Sequence, residues 1–265
     1  MQARTYVMES LQKGRLIRWP DHCMPLKFYI APYRWYNSQG DDYKFRQMVI
    51  RALDTWANIS RGKVRFELVN TLHESQINLD WKRVDRQALG HCYFHFDNAS
   101  RLYSAEVQIG ISDGLLHQEY MNDGEIYHTI LHEIGHAVGL GHSPYKTDIM
   151  YTPHQYGIVN TSINDALTVQ WLYNFPYGLA PEEIAKNYSF GTSNLDEIIF
   201  KKMHNQGKSK FEDVKNSIKI NVRNLEDEQI KLAQIKKYQL GLSQVKLPEN
   251  IKNYIKEQQQ QNLKD

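Results

Sequence analysis

Three histidines and a glutamate fall within residues 132–142 of the stretch TILHEIGHAVGLGHSPYKTDIMY (129–151). Imidazoles bind transition metals and a carboxylate beside them takes up protons, so their spacing decides whether they can act together. On a helix, residues four apart lie about 40° apart around the axis, which aims His132 and His136 the same way. Glu133, turned by about 100°, stands beside the pair. Gly139 reaches φ > 0 without penalty and is the usual residue just past a helix end. The chain is therefore expected to turn there and bring His142 back toward the other two. Three neutral imidazoles converging from one side leave a fourth tetrahedral position open, which describes a catalytic zinc rather than a structural one. With 11 histidines in 265 residues, one pair four apart would be ordinary packing. The joint pattern H-E-x-x-H-x-x-G-x-x-H in a helical context is not.

Elements able to hold such a site can be read on either side of it. Ile126, Ile130, Leu131 and Ile134 give the histidine segment an apolar face for docking on a core. Upstream, PLKFYIA (25–31), KVRFELV (63–69), QINLDW (76–81), GHCYFHF (90–96) and AEVQIGI (105–111) read as strands. YKFRQMVIRALDTWANIS (43–60) has apolar residues at helical spacing, and SINDALTVQWLYNF (162–175) reads as a further helix capped by Ser162 or Asn164. A β-α-β-β-β-β-α order predicts an α+β domain, a twisted mixed five-stranded sheet carrying long helices.

His132, Glu133, His136, Gly139 and His142 resemble the extended zinc signature of the metzincin peptidases, with Met150 where that clan has its Met-turn. Ser143 after the third histidine and Tyr151 after the methionine are similar to the matrixins, the matrix-metalloproteinase-like peptidases. The resemblance covers about residues 15–176 and implies a metzincin-type domain with three helices. It implies a zinc endopeptidase acting on protein or peptide substrates, with one catalytic zinc on His132, His136 and His142. Zinc lowers the pKa of a bound water to about 7, and Glu133 would take its proton and deliver it to the leaving amine. Met150 would form an apolar floor under the histidines. By the same resemblance an edge strand pairs with the extended substrate, which makes Leu89, Gly90 and His91 candidates for main-chain contacts. The far wall of the specificity pocket would be YTPHQYG (151–157), including Tyr151, Pro153 and Tyr156. Matrixins usually place proline two and tyrosine four residues after the methionine; here they stand three and six after, which predicts a longer pocket loop. An additional structural zinc or calcium ion has no motif behind it. His91, His95 and Asp97 could hold one, but the spaced aspartate and glycine loop is missing, and they read as strand residues. Cys23, in WPDHCMP, lacks the flanks of an inhibitory propeptide cysteine and is expected to be a partly buried thiol or a bridge to Cys92. His117, His128 and His154 read as ordinary residues.

A net charge of +2 makes neither nucleic acid nor an anionic membrane an obvious partner, and no apolar run reaches the length of a membrane span. Residues 1–19 hold no continuous hydrophobic stretch like that of a signal peptide. The chain is then intracellular or begins after an export signal, and the resemblance favours an extracytoplasmic location. Organisation is read as an N-terminal segment (1–22), a catalytic domain (23–178) and a helical C-terminal extension (179–265) with a frayed, glutamine-rich tail. Amphipathic helices are expected at 194–204, 225–240 and 248–259, where a protein partner could bind, and a chain cut after Gly178 is expected to keep the site. The alternative function is a binding module in which zinc only staples the fold. That reading leaves Glu133 unexplained, since metal binding does not use it.

Overall fold

The computed structural model describes residues 3–33, 39–83, 89–112, 122–187 and 191–205. A short hairpin, β1 (Leu11–Gln12) and β2 (Arg15–Leu16), precedes the main sheet. That sheet is built from β3 (Leu26–Ile30), β4 (Phe66–Val69), β5 (Ile77–Arg83), β6 (Gly90–Phe96) and β7 (Leu102–Ser112), in the order β4-β3-β5-β7-β6. β3, β4, β5 and β7 run parallel, and β6 pairs antiparallel with β7 at one edge, Cys92 opposite Val107. The sheet is mixed and five-stranded, as its alternating segments predict.

One face of the sheet, carrying Leu26, Phe28, Ile77, Leu79, Val107 and Ile109, is buried. Helices α1 (Gln39–Ile59) and α2 (Asp123–Ala137) cover the core, and the Trp56 indole donates to the Leu131 carbonyl at 2.9 Å to tie them together. α2 opens with a reciprocal cap, Asn122 accepting from the Glu125 N–H while Glu125 accepts from Asn122. α3 (Ile163–Leu172) opens the same way between Ser162 and Asp165, so Ser162 is its cap and Asn164 lies inside the first turn.

The expected boundaries at 22 and 178 both run through this core, and all the described residues fall in one compact unit, Met1–Lys219. Tyr6, Val7, Leu16, Ile17 and Trp19 are buried, and the Trp19 indole donates to the carbonyl of Ala137 at the end of α2. Residues beyond 178 add α4 (Pro181–Asn187) and α5 (Leu195–Asn205), whose Ile184, Leu195, Ile198 and Ile199 are buried in the same cluster. Asp196 in the first turn of α5 accepts from the Thr5 hydroxyl at 2.6 Å and from the Val7 and Met8 N–H groups at 2.7 and 3.2 Å. The N-terminal segment and α5 thus satisfy each other's polar groups, a long-range pairing that local periodicity cannot reveal. The helices expected at 225–240 and 248–259 lie outside the described residues, as does His117.

Candidate active site

α2 ends where Gly139 takes φ +98°, with the Leu140 N–H returning to the Gly135 carbonyl. The turn brings His142 over the helix. His136 Nε2 lies 3.1 Å from His132 Nε2 and 3.2 Å from His142 Nε2. Among the described residues these three form the one cluster of side chains able to share a metal ion, with ligand atoms within 4.8 Å of one another.

Hydrogen bonds behind the rings fix which nitrogens face inward. His132 Nδ1 lies 2.7 Å from the Ile149 carbonyl and His136 Nδ1 2.8 Å from that of Leu140. A carbonyl only accepts, so both Nδ1 atoms carry the proton and both Nε2 atoms present lone pairs to the cluster. Lone pairs facing each other at such distances repel unless a cation lies among them. Burial, then the neighbouring imidazoles, holds His132 well below the ordinary histidine range, burial puts His136 at about 4, and burial also lowers His142. Neutral, convergent imidazoles, His132 and His136 half-buried and His142 exposed toward the open side, are the donor set that zinc takes, so the residues present fit the ion.

Glu133 stands beside the cluster and is buried; burial raises its carboxyl to about 8. A divalent cation at the imidazoles would act in the opposite sense. Beneath them Met150 is fully buried, and a Cβ on Gly135 would overlap its Sδ. The methionine loop is held by the Ser143 N–H donating to the Met150 carbonyl at 2.8 Å and the Ser143 hydroxyl donating to buried Asp148 at 2.5 Å. Asp165 Oδ2 accepts from the Ile149 N–H at 3.0 Å, and its Oδ1 accepts from the buried Tyr6 hydroxyl at 2.6 Å. The loop that bonds His132 is therefore anchored by α3 and by the N-terminal segment. Its neighbour is close-packed too: the Gly141 N–H donates to Ser10 at 2.9 Å, and a Cβ there would overlap the Glu9 carbonyl.

The cluster opens into a cavity of about 540 Å³. Leu89, Gly90, His91, Tyr151, Pro153 and Tyr156 all line it, so the six candidate substrate residues border one cavity. Cys92, His128 and His154 line it as well, and reading the sequence missed them as site residues. The signal for His128 was available: it stands four residues before His132 and shares its helix face.

Other candidates go elsewhere. His91 stacks on Tyr93 and His95 on Tyr103, while Asp97 is engaged by the Arg101 guanidinium at 2.6 Å and does not complete a second metal set. Cys23 and Cys92 are both free and half-buried, so of the two alternatives expected for Cys23 the structure has the partly buried thiol and not the bridge. Burial, and then the charge of Glu133, pushes the Cys92 thiol up, placing it at the site, whereas Cys23 lies near Arg101.

A family model described as Matrixin, a peptidase family, matches residues 18–174. The chain is also 30% identical over 178 residues to a candidate matrix metalloproteinase of Trichoplusia ni ascovirus 2c. That match covers 57% of this chain but 35% of the relative, so the chain spans about a third of the relative's length.

Proposed function

The chain belongs to the matrixin family of metallopeptidases, and from that premise we propose that it is a zinc-dependent endopeptidase with Glu133 as general base. The observation that carries the proposal is the convergence of three imidazole Nε2 atoms, two of them fixed as lone-pair donors, beside a buried carboxyl group lining the same cavity. His132, His136 and His142 would hold the ion. When bound, zinc supplies a Lewis acid that acidifies water to a pKa of about 7 and polarises a peptide carbonyl.

The chain's own residues do the rest. Ile149 and Leu140 carbonyls hold the His132 and His136 rings in the tautomer that binds metal. Glu133 accepts the proton of the attacking water and passes it to the nitrogen of the departing amine, so one carboxylate serves as base and then acid. β6 lies at the end of the sheet order, and its outward edge beginning at Gly90 would offer main-chain groups to an extended peptide added as a strand, whereas the Leu89 carbonyl is already taken by the Gly110 N–H of β7 at 2.9 Å. Protein or peptide segments that can be drawn into an extended conformation are the substrate class this favours.

The test is digestion of a proteome-derived peptide mixture by zinc-loaded full-length protein, with products mapped by mass spectrometry. Internal cleavage that chelation abolishes and zinc restores is the expected result. A folded, zinc-loaded protein that cuts nothing overturns the proposal.

A further inference from the structure

His128 is buried at the cavity, and the chemistry proposed above gives it no task. Its Nδ1 lies 2.5 Å from the Ile158 carbonyl and so carries the ring proton, which leaves Nε2 as an acceptor. Among the described residues no hydrogen bond reaches that Nε2. On one side the ring lies nearly parallel to His132, centroids 6.1 Å apart at 13°. On the other it meets His154 from the 151–156 wall at 4.0 Å and 61°, and His154 in turn packs on Tyr156 at 5.5 Å. The recess beside His132 is therefore walled by two imidazoles, with the largely exposed Tyr156 ring at its outer edge.

That lining has a consequence for what can enter. An aliphatic side chain would take the His128 acceptor out of water and give it no donor in return, which disfavours the complex. A primary amide does better on both sides, its NH₂ donating to His128 Nε2 while its carbonyl accepts from a ring N–H of His154.

Resting on the endopeptidase reading, we propose that this recess selects an uncharged hydrogen-bonding side chain next to the cleaved bond, glutamine or asparagine foremost, with His128 and His154 as the specificity-determining residues. His154 sits on the wall loop and His128 on α2, so selection depends on the contact between the two elements.

The zinc-loaded full chain, its His128→Leu variant and its His154→Ala variant are each given the same peptide library, and cleavage sites are aligned. The expected result is enrichment of Gln and Asn over Leu at one flanking position, on the order of tenfold. That ratio falls by a similar factor in His128→Leu, where the recess becomes aliphatic, and falls in His154→Ala. Should His128→Leu fail to fold, His154→Ala carries the comparison, because it alters a loop rather than the helix. Leu or Phe favoured at both flanking positions by the unaltered protein overturns the inference while leaving the endopeptidase reading intact. Enrichment of Asp and Glu overturns it as well, since it would mean a charged imidazole pair. No cleavage at all overturns the endopeptidase reading, and this inference with it.

Discussion

Gly90 and Glu133 touch across the site: a Cβ on Gly90 would lie 2.7 Å from Glu133 Cγ and 2.9 Å from its Oε1. The same methyl would stand 2.7 Å from Thr129 Cγ2, so α2 leaves no room for it on either side. Something must shift, and the carboxylate is the freer end. Gly90→Ala is expected to lower kcat on the order of tenfold to a hundredfold by moving the base, with bound zinc unchanged. Zinc content and steady-state rates measured on the same preparation check this. Normal turnover in a zinc-loaded Gly90→Ala protein would remove the contact from the account of catalysis.

Glu133→Gln keeps the shape of the side chain and loses its ability to take a proton. Turnover should fall by about 10²–10⁴-fold, with zinc retained because no ligand is altered. His136→Ala removes the imidazole nearest both partners and should lose metal and activity together. Metal analysis beside a peptide assay separates the two variants. Equal zinc with near-native rates in Glu133→Gln would rule that residue out as the base.

Truncation is where the structure changes the expectation most. A cut after Gly178 removes the Leu179 carbonyl that accepts from the Leu16 N–H, the buried face of α5, and the Asp196 carboxylate that gathers three donors from the N-terminal segment. The truncated chain should therefore fail to give a stable, zinc-loaded protein. Asp196→Ala in the full chain should cost about 1–3 kcal/mol through the donors left without a partner. Thermal melts of the full chain, the variant and the truncated chain provide the comparison, and an unchanged melt for the truncated chain would restore the boundary at 178.

What could be read in advance was what repeats locally. The ligand spacing, the turn at Gly139 and the strand character of β3 to β7 all follow from rules acting over a few residues, and each reappears in the structure, although β4 buries no alternating face. The burial of Tyr6 and Trp19 does not follow from such rules, because each bonds a partner more than a hundred residues away. α5 itself was legible as a helix at 194–204, but its docking was not, since an amphipathic face does not name what it packs against. His154 entered the site through the fold of the wall loop onto α2, again a tertiary fact.

Asp165 gives the fold a pH dependence of its own. It is fully buried, with Oδ2 accepting from the Ile149 and Ser162 N–H groups at 3.0 and 2.7 Å and Oδ1 from the Tyr6 hydroxyl at 2.6 Å. Burial, and next the negative charge of Asp148, raises its carboxyl from 3.8 to about 6. A folded-state value above the unfolded one means that the native protein holds this proton more tightly. The associated stability is fully present below the unfolded value near 4 and is lost as pH rises through the folded one. The buried His128, lowered from 6.5 to about 4, acts in the opposite sense, losing stability as pH falls through its folded value, so the unaltered protein alone cannot isolate either group. Asp165→Asn can. Its amide oxygen can accept both N–H groups while its NH₂ donates to the Tyr6 oxygen, which preserves the geometry and removes the titration. The variant should therefore gain stability relative to the unaltered chain as pH is raised from 4 to 7, read from denaturant midpoints at each pH. A constant difference across that range would show that Asp165 does not titrate there.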